Sequence, residues 1–282
     1  MAIGGLPSWI GSQAVSETGQ RSMYNARASL GLSGAGWMSE MAGKERTVIV
    51  NIANSDHNFN TGNLHNAMLS AAGGAWPPQA VWRIIVHAGV QLVSVNTNTS
   101  CMWFGGAIRG KVVIENSGHI FGRGGAGGNV PAGDPSTTQG GSSGGAAIAR
   151  EPHITLEIKN YGIIAGGGGG GGAGYTFSSA GGGRHYAQGG GGGAPFGTAG
   201  ATSGMNYPRP GAAGGYDYGG GGGTGGDGGE AHGGAGGGLG LNGGAAWGNN
   251  RANAGGGYAG HAIAGSGTII WTNRGDIRGA VS

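Results

Sequence analysis

The sequence predicts an irregular, mostly β protein in two parts. Residues 1–110 read as a small α+β N-terminal domain. Residues 111–282 read as a glycine-rich domain of packed polyglycine II helices, flanked by short strand–turn repeats. Three observations carry this. Glycine supplies 75 of the 282 residues, against roughly 7% in ordinary proteins. Those glycines are sparse before residue 105 and gather into solid runs after it. A nine-residue apolar pattern occurs three times around the runs.

In the N-terminal part, Val15 to Ser29 is compatible with helix, though weakly periodic. Asn63 to Ala72 places Leu64, Ala67, Met68 and Ala71 on one helical face. Val81 to Val95 is rich in Val, Ile and Leu, with Ala88-Gly89 as a turn between two strands.

The repeat is apolar-x-Asn-x-Gly-x-Ile-x-Gly. It begins at Ile114, at Ile158 and at Trp271, each time after a β-rich run. Asn and Gly both suit a turn, and the Ile that follows returns inward, so each copy predicts a strand–turn–strand unit. Their spacings are unequal, which argues against a regular solenoid.

The glycine runs, chiefly 166–172, 189–193 and 219–223, need an ordered explanation. Ordering a residue costs on the order of 1–2 kcal/mol, and glycine has no side chain to bury in return. A flexible linker is the bland alternative. Linkers seldom alternate pure glycine with aromatic segments, however, or end in an apolar repeat. A polyproline-II-type helix has three residues per turn and no internal hydrogen bonds. If every residue is glycine, neighbouring rods can approach on all sides and pair their amides and carbonyls. A Cβ aimed at a neighbour breaks such a lattice, whereas one on an outer layer is tolerated, as at the interruptions Ala173 and Ala235.

Composition also excludes. Glycine is not at every third position and there are only nine prolines, so collagen is ruled out. A net charge of +3 with no basic tract gives no case for nucleic acid. No apolar stretch approaches the roughly 20 residues of a membrane-spanning helix, and residues 1–10 do not read as a signal peptide. The lone Cys101 is expected to be a small buried hydrophobe. The eight histidines form no metal-ligand pair, and no metal or cofactor is expected. Asp227, Glu230 and His232 read as a solvated loop. Gly238 to Gly243 fits Gly-x-Gly-x-x-Gly, but by chance in so glycine-rich a chain.

The opening Gly4-Gly5-Leu6-Pro7-Ser8-Trp9-Ile10-Gly11-Ser12-Gln13 resembles the N-terminus of the long-tail-fibre adhesins of T-even-like phages. So do Gly36-Trp37-Met38-Ser39, the segment Asp56 to Asn60 and the run 166–172. The resemblance covers the whole chain. It implies a non-enzymatic receptor-binding protein of the virion, made in the host cytoplasm and carried at the distal tip of the long tail fibre. Its N-terminal domain would dock on a trimeric fibre-tip protein, one adhesin per fibre. Loops between the glycine runs would bind an outer-membrane protein or lipopolysaccharide of the host, without membrane insertion. A fibre-assembly or capping factor is the second reading. An enzyme acting on surface polysaccharide is the third, disfavoured by 12 dispersed acidic residues.

Tyr and Trp give stiff, amphipathic contact area, so the receptor candidates are the aromatics between the runs. They are Tyr175, Phe177, His185 and Tyr186, then Phe196, Tyr207, Tyr216, Tyr218 and Trp247. Each either contacts receptor or packs on the lattice. Pro208-Arg209-Pro210 would stiffen one loop. Trp9, Ile10, Trp37 and Met38 are the fibre-attachment candidates, with ordinary core as their alternative.

Overall fold

The protein is described by a computed structural model covering residues 10–42, 44–77, 80–131, 137–178, 184–202, 207–224, 232–248 and 252–282. It is mostly β, with its helices near the N-terminus. The helix-compatible stretch expected from Val15 is two helices, α1 (Ile10–Thr18) and α2 (Met23–Ser29). Gly19, at φ +70°, ends the first. A 3-10 turn at Met38–Met41 closes this unit over a small core of Ala14, Ala26 and Met41. The buried Arg27 stitches it together through Glu40 at 2.7 Å and the carbonyl of Gly34 at 3.1 Å.

From residue 47 onward the chain winds as a three-sided parallel β-helix. The first turn holds β1 (Thr47–Ile52), β2 (Asp56–Phe59) and α3 (Thr61–Ala71). The second holds β3 (Ala80–Val86), β4 (Gln91–Ser94) and β5 (Met102–Phe104). The third holds β6 (Gly110–Asn116), β7 (His119–Phe121) and β8 (Ile148–Arg150). The fourth begins with β9 (Thr155–Asn160) and β10 (Ile163–Ala165). It is then interrupted by the glycine body, which contains β11 (Gly174–Ser178), β12 (Arg184–Gln188), β13 (Tyr207–Arg209) and β14 (Ala252–Asn253). The turn is completed by β15 (Ile263–Ala264), and β16 (Ile269–Asn273) and β17 (Asp276–Arg278) start the fifth. The three faces are the sheets β1-β3-β6-β9-β16, β2-β4-β7-β10-β17 and β5-β8-β15, each parallel throughout. Alternation along the strands turns Trp82, Ile84, Ile114, Leu156 and Ile158 into one continuous core.

The repeat copies are the corners between the first two faces, stacked in register: Ile114 pairs Ile158 and Trp271 pairs Ile158. The argument against a solenoid is thereby corrected. Successive turns differ in length because insertions enter at one corner, between the second and third faces, and the other corners keep their geometry. Val81 to Val95 likewise forms two strands around Gly89, at φ +79°, but they lie in different sheets. Nor does the composition change near residue 105 interrupt the sheet. Gly110 opens β6, flanked by β3 on one side and β9 on the other.

At these corners the asparagines stack as a ladder. Asn116 and Asn160 are fully buried. Asn116 Nδ2 donates to Asn160 Oδ1 at 2.7 Å, and Asn160 Nδ2 donates to the carbonyls of Arg274 and Asp276. A buried amide must be satisfied or it costs about 1–3 kcal/mol, so the ladder selects this register.

The glycine body leaves the β-helix as direct continuations of β7 and β10. Residues 166–172 are wholly buried, and from Gly167 onward their amides and carbonyls pair with six surrounding segments. These are 123–128, 139–145, 189–194, 233–238, 241–244 and 254–260. Each neighbour is met at every third residue. Gly167, Gly170 and Ala173 donate to Gly145, Ser142 and Gln139, while Gly168 and Gly171 donate to Ala194 and Gly191. The buried run 189–193 is surrounded in the same way, by 125–128, 168–171, 197–200, 209–212, 220–223 and 234–237. Glycine is required here by close approach: a Cβ on Gly170 would collide with the carbonyl of Ala126, and one on Gly171 with that of Gly234. Ala235 faces outward, as expected of an interruption. Ala173 does not; it is buried against Val130 and Ala187, where the run gives way to β11.

Candidate functional site

Because successive segments of the body run mostly antiparallel, their connections alternate between its two ends. Residues 194–197, 214–219 and 238–242 turn back beside the β-helix. The connections between 128 and 139, 173 and 189, 200 and 209, 223 and 233, and 246 and 254 leave and re-enter at the opposite, distal end. The aromatic candidates divide accordingly.

At the distal end lie Tyr175, Phe177, His185, Tyr186, Tyr207 and Trp247. Strands β11 and β12 pair as a hairpin, extended by β14 on one side and β13 on the other. Tyr175 and Tyr186 are both buried, on opposite faces of this small sheet; Phe177 and His185, on the face of Tyr175, are half-buried. The Tyr175 hydroxyl lies 2.6 Å from His185 Nδ1, and Phe177 tilts against the same ring at 4.8 Å. Tyr207 stacks on Tyr186 at 5.1 Å, and Trp247 stacks on His232 at 4.0 Å. Trp247 is 57% exposed and Tyr207 37%. This end therefore presents Tyr207 and Trp247 outward, each resting on a second ring that fixes its orientation. Pro208 and Arg209 lie in exposed β13, and Pro210 follows it.

Phe196, Tyr216 and Tyr218 lie at the other end. Phe196 and Tyr216 pack with Val93, Phe121 and Ala165 on the outer face of the second sheet, forming the joint between glycine body and β-helix. Arg123 covers Phe196 at 5.4 Å, and His57 lies against both Phe196 and Tyr216. Composition could not separate these residues from the distal set, but counting runs could, since alternate connections must fall at alternate ends. Tyr218 is exposed beside Gly215, on the same side as the joint.

His119 was not singled out in the sequence, yet it sits at the centre of this joint. Its Nδ1 lies 2.9 Å from the Tyr216 hydroxyl, and its ring stacks on Phe121. Burial pushes its pKa down from the usual value, with Arg278 adding to the effect. Burial likewise pushes the Tyr216 hydroxyl up. A ring with bare Nδ1 accepts from Tyr216, whereas the protonated ring can only donate there. The linkage sign follows. The unfolded histidine takes up a proton near about pH 6.5, the folded one only at lower pH. Stability is therefore full above the unfolded pKa and falls as pH drops toward the folded one. Acidification from about pH 7 to about pH 5 is expected to lower the thermal midpoint. His119→Gln should flatten that slope relative to the parent; equal slopes in calorimetry would reject the assignment.

Of the attachment candidates, Trp37 is 81% exposed, and Tyr24, Met23 and Val15 of the same N-terminal unit are exposed as well. Ile10 opens α1 and Met38 opens the 3-10 turn. Trp9 lies outside the described residues, as do Asp227 and Glu230. Cys101 is buried, and desolvation pushes its thiol far up. Among the described residues no group of histidines, cysteines and carboxylates could hold a metal, and no helix is long and apolar enough to cross a membrane. On the outer face of the first sheet Glu115 and Glu157 are held below the usual carboxylate range. Arg83 and Lys159 do this for Glu115, and Lys111 and Thr272 for Glu157.

Comparison with known proteins agrees with this architecture. Residues 47–282 match the family model of the phage tail fibre adhesin Gp38, and residues 1–42 match that of the Gp38 N-terminal domain. Among solved structures the chain is similar to one described as the gp37-gp38 adhesin tip complex of the bacteriophage S16 long tail fiber. The match has 28% identity and a TM-score of 0.64, and covers 100% of both chains.

Proposed function

The chain belongs to the Gp38 family of phage tail fibre adhesins, and from that premise we propose that it grips the host bacterium through the distal connections of its glycine body. The observation that carries this reading is the alternation of connections. It gathers five connections at one end of a bundle held by main-chain hydrogen bonds, with Tyr207 and Trp247 exposed there. In this reading the buried runs are polyglycine II helices. Contact with neighbours at every third residue is the repeat of a threefold helix, and it supports that assignment. The lattice matters for binding because it immobilises the segments beforehand, so less order is lost on contact.

The receptor is an outer-membrane protein or lipopolysaccharide, held non-covalently and without a cofactor. The N-terminal unit docks on a trimeric fibre-tip protein, one adhesin per fibre. Its tiny core and the exposed Trp37, Tyr24 and Met23 support a surface that is completed by a partner.

Exchanging residues 174–188 with those of a relative is expected to shift adsorption to the relative's hosts while the fibre still carries the protein. Unchanged host range in every such exchange would remove the loops from the reading. Absence of the chain from purified virions would favour an assembly or capping factor instead.

A further inference from the structure

The third face of the β-helix carries a feature that the distal reading does not use. On this face outward positions fall side by side across the strands. Trp103 of β5 pairs Ala149 of β8, which pairs Ala264 of β15. An indole next to two methyl groups leaves a step, and the step forms the wall of a cleft of about 350 Å³. That volume lies in the range of small-molecule sites, roughly 300–1,000 Å³.

The opposite wall is the segment 97–100, with Thr61 at the start of α3. This wall is fixed in place. Asn96 Oδ1 accepts from the amides of Asn98 and Thr99, each at 2.9 Å, and Ser94 Oγ lies 2.6 Å from the Thr99 carbonyl. The amides of Cys101 and Met102 then tie the segment to Ala146 and Ala147. Trp103 is held from behind by His65, whose ring lies 5.7 Å away and whose Nε2 lies 3.3 Å from the Trp103 carbonyl.

The chemistry of the lining is specific. It contains no ionisable side chain. The side chains of Thr61, Thr97, Asn98 and Ser100 are engaged in no hydrogen bond with the described residues, so their donors and acceptors remain for a ligand. An aromatic wall matches a ring that has one apolar C–H face. Hydroxyl and amide groups, each able to donate and accept, match the hydroxyls around that ring. A charged ligand would find no counter-charge.

We propose that this cleft is a second binding site, which takes a neutral pyranose of the bacterial surface with its C–H face on Trp103. The site stands apart from the distal loops. It is built from the first three turns of the β-helix, so the proposal goes beyond the receptor reading and can fail without it.

The test is protein-observed NMR on the intact chain. The indole N–H of Trp103 is followed during titration with methyl glucosides, galactosides and mannosides. Glucuronic acid serves as a charged control. A saturable shift by at least one neutral sugar is expected, with an affinity of order 1 mM. Ala149→Met fills the cleft from the outer face and should weaken it by at least about tenfold. Asn98→Ala, on the exposed wall, should weaken it severalfold. Neither should alter the thermal midpoint or adsorption through the distal loops. Oligosaccharides released from lipopolysaccharide core and from O-antigen are titrated as separate arms, and binding in either identifies the source. No saturable shift with any neutral sugar overturns the proposal, as does binding that Ala149→Met leaves intact.

Discussion

Gly170→Ala is expected to destroy the order of the glycine body, although it adds one methyl group. Gly170 sits midway along the central run. Its amide donates to Ser142, its carbonyl accepts from Gly257, and a Cβ there meets the Ala126 carbonyl. The methyl cannot find space by a rotamer change, because what it strikes is backbone held by its own hydrogen bonds. A whole neighbouring segment must move, and its bonds to further segments go with it. The expected loss is about 3 kcal/mol or more, the upper end for overpacked cores. The control is Gly221→Ala. This glycine lies on an outer segment, exposed, with nothing within 4 Å of an added Cβ. There the substitution should be neutral or stabilising by up to about 1 kcal/mol, through the unfolded state. Thermal unfolding of both variants, with amide exchange across residues 166–172, separates the cases. Equal midpoints for Gly170→Ala and Gly221→Ala would mean that close backbone packing does not hold the body together.

The second large effect is expected at the distal end. Tyr207→Ala and Trp247→Ala each remove an exposed ring that rests on a second ring, Tyr186 or His232. Anchors of this kind contribute about 2–4 kcal/mol at interfaces, so the double variant should adsorb at least about a hundredfold less well. Tyr258→Ala provides the comparison: Tyr258 is 74% exposed, but on the side of the outer segment 254–260. It should adsorb normally. If Tyr258→Ala matches the double variant, recognition runs along the flank and the distal assignment is wrong.

Much of this architecture was legible in the residues. Long glycine runs admit few ordered structures, and the nine-residue pattern located three real corners of the β-helix. Two things were hidden. The β-helix was masked by its insertions. The same register step spans 30 residues from Ala80 to Gly110, 44 from Lys111 to Thr155 and 113 from Ile158 to Trp271, so a search for a fixed period fails. The first two turns also lack the Asn-x-Gly corner; Ala53-Asn54-Ser55 and His87-Ala88-Gly89 serve in its place. The other hidden matter was position within the body. Phe196 and Tyr216 have the composition of recognition residues, yet they pack the joint on His57 and Phe121. Aromatic content reports neither which end of a rod a turn occupies nor whether a ring there faces solvent.

The larger excursion of the body enters after Ala165 and returns at Ile263, two points on neighbouring faces of a single turn. Within it, adjacent segments recognise one another through main-chain groups common to every residue. Exchange within the glycine runs therefore meets no side-chain interior to mismatch, and a segment lengthened at the far end shifts no register. Change in the distal connections can thus leave the winding scaffold beneath untouched.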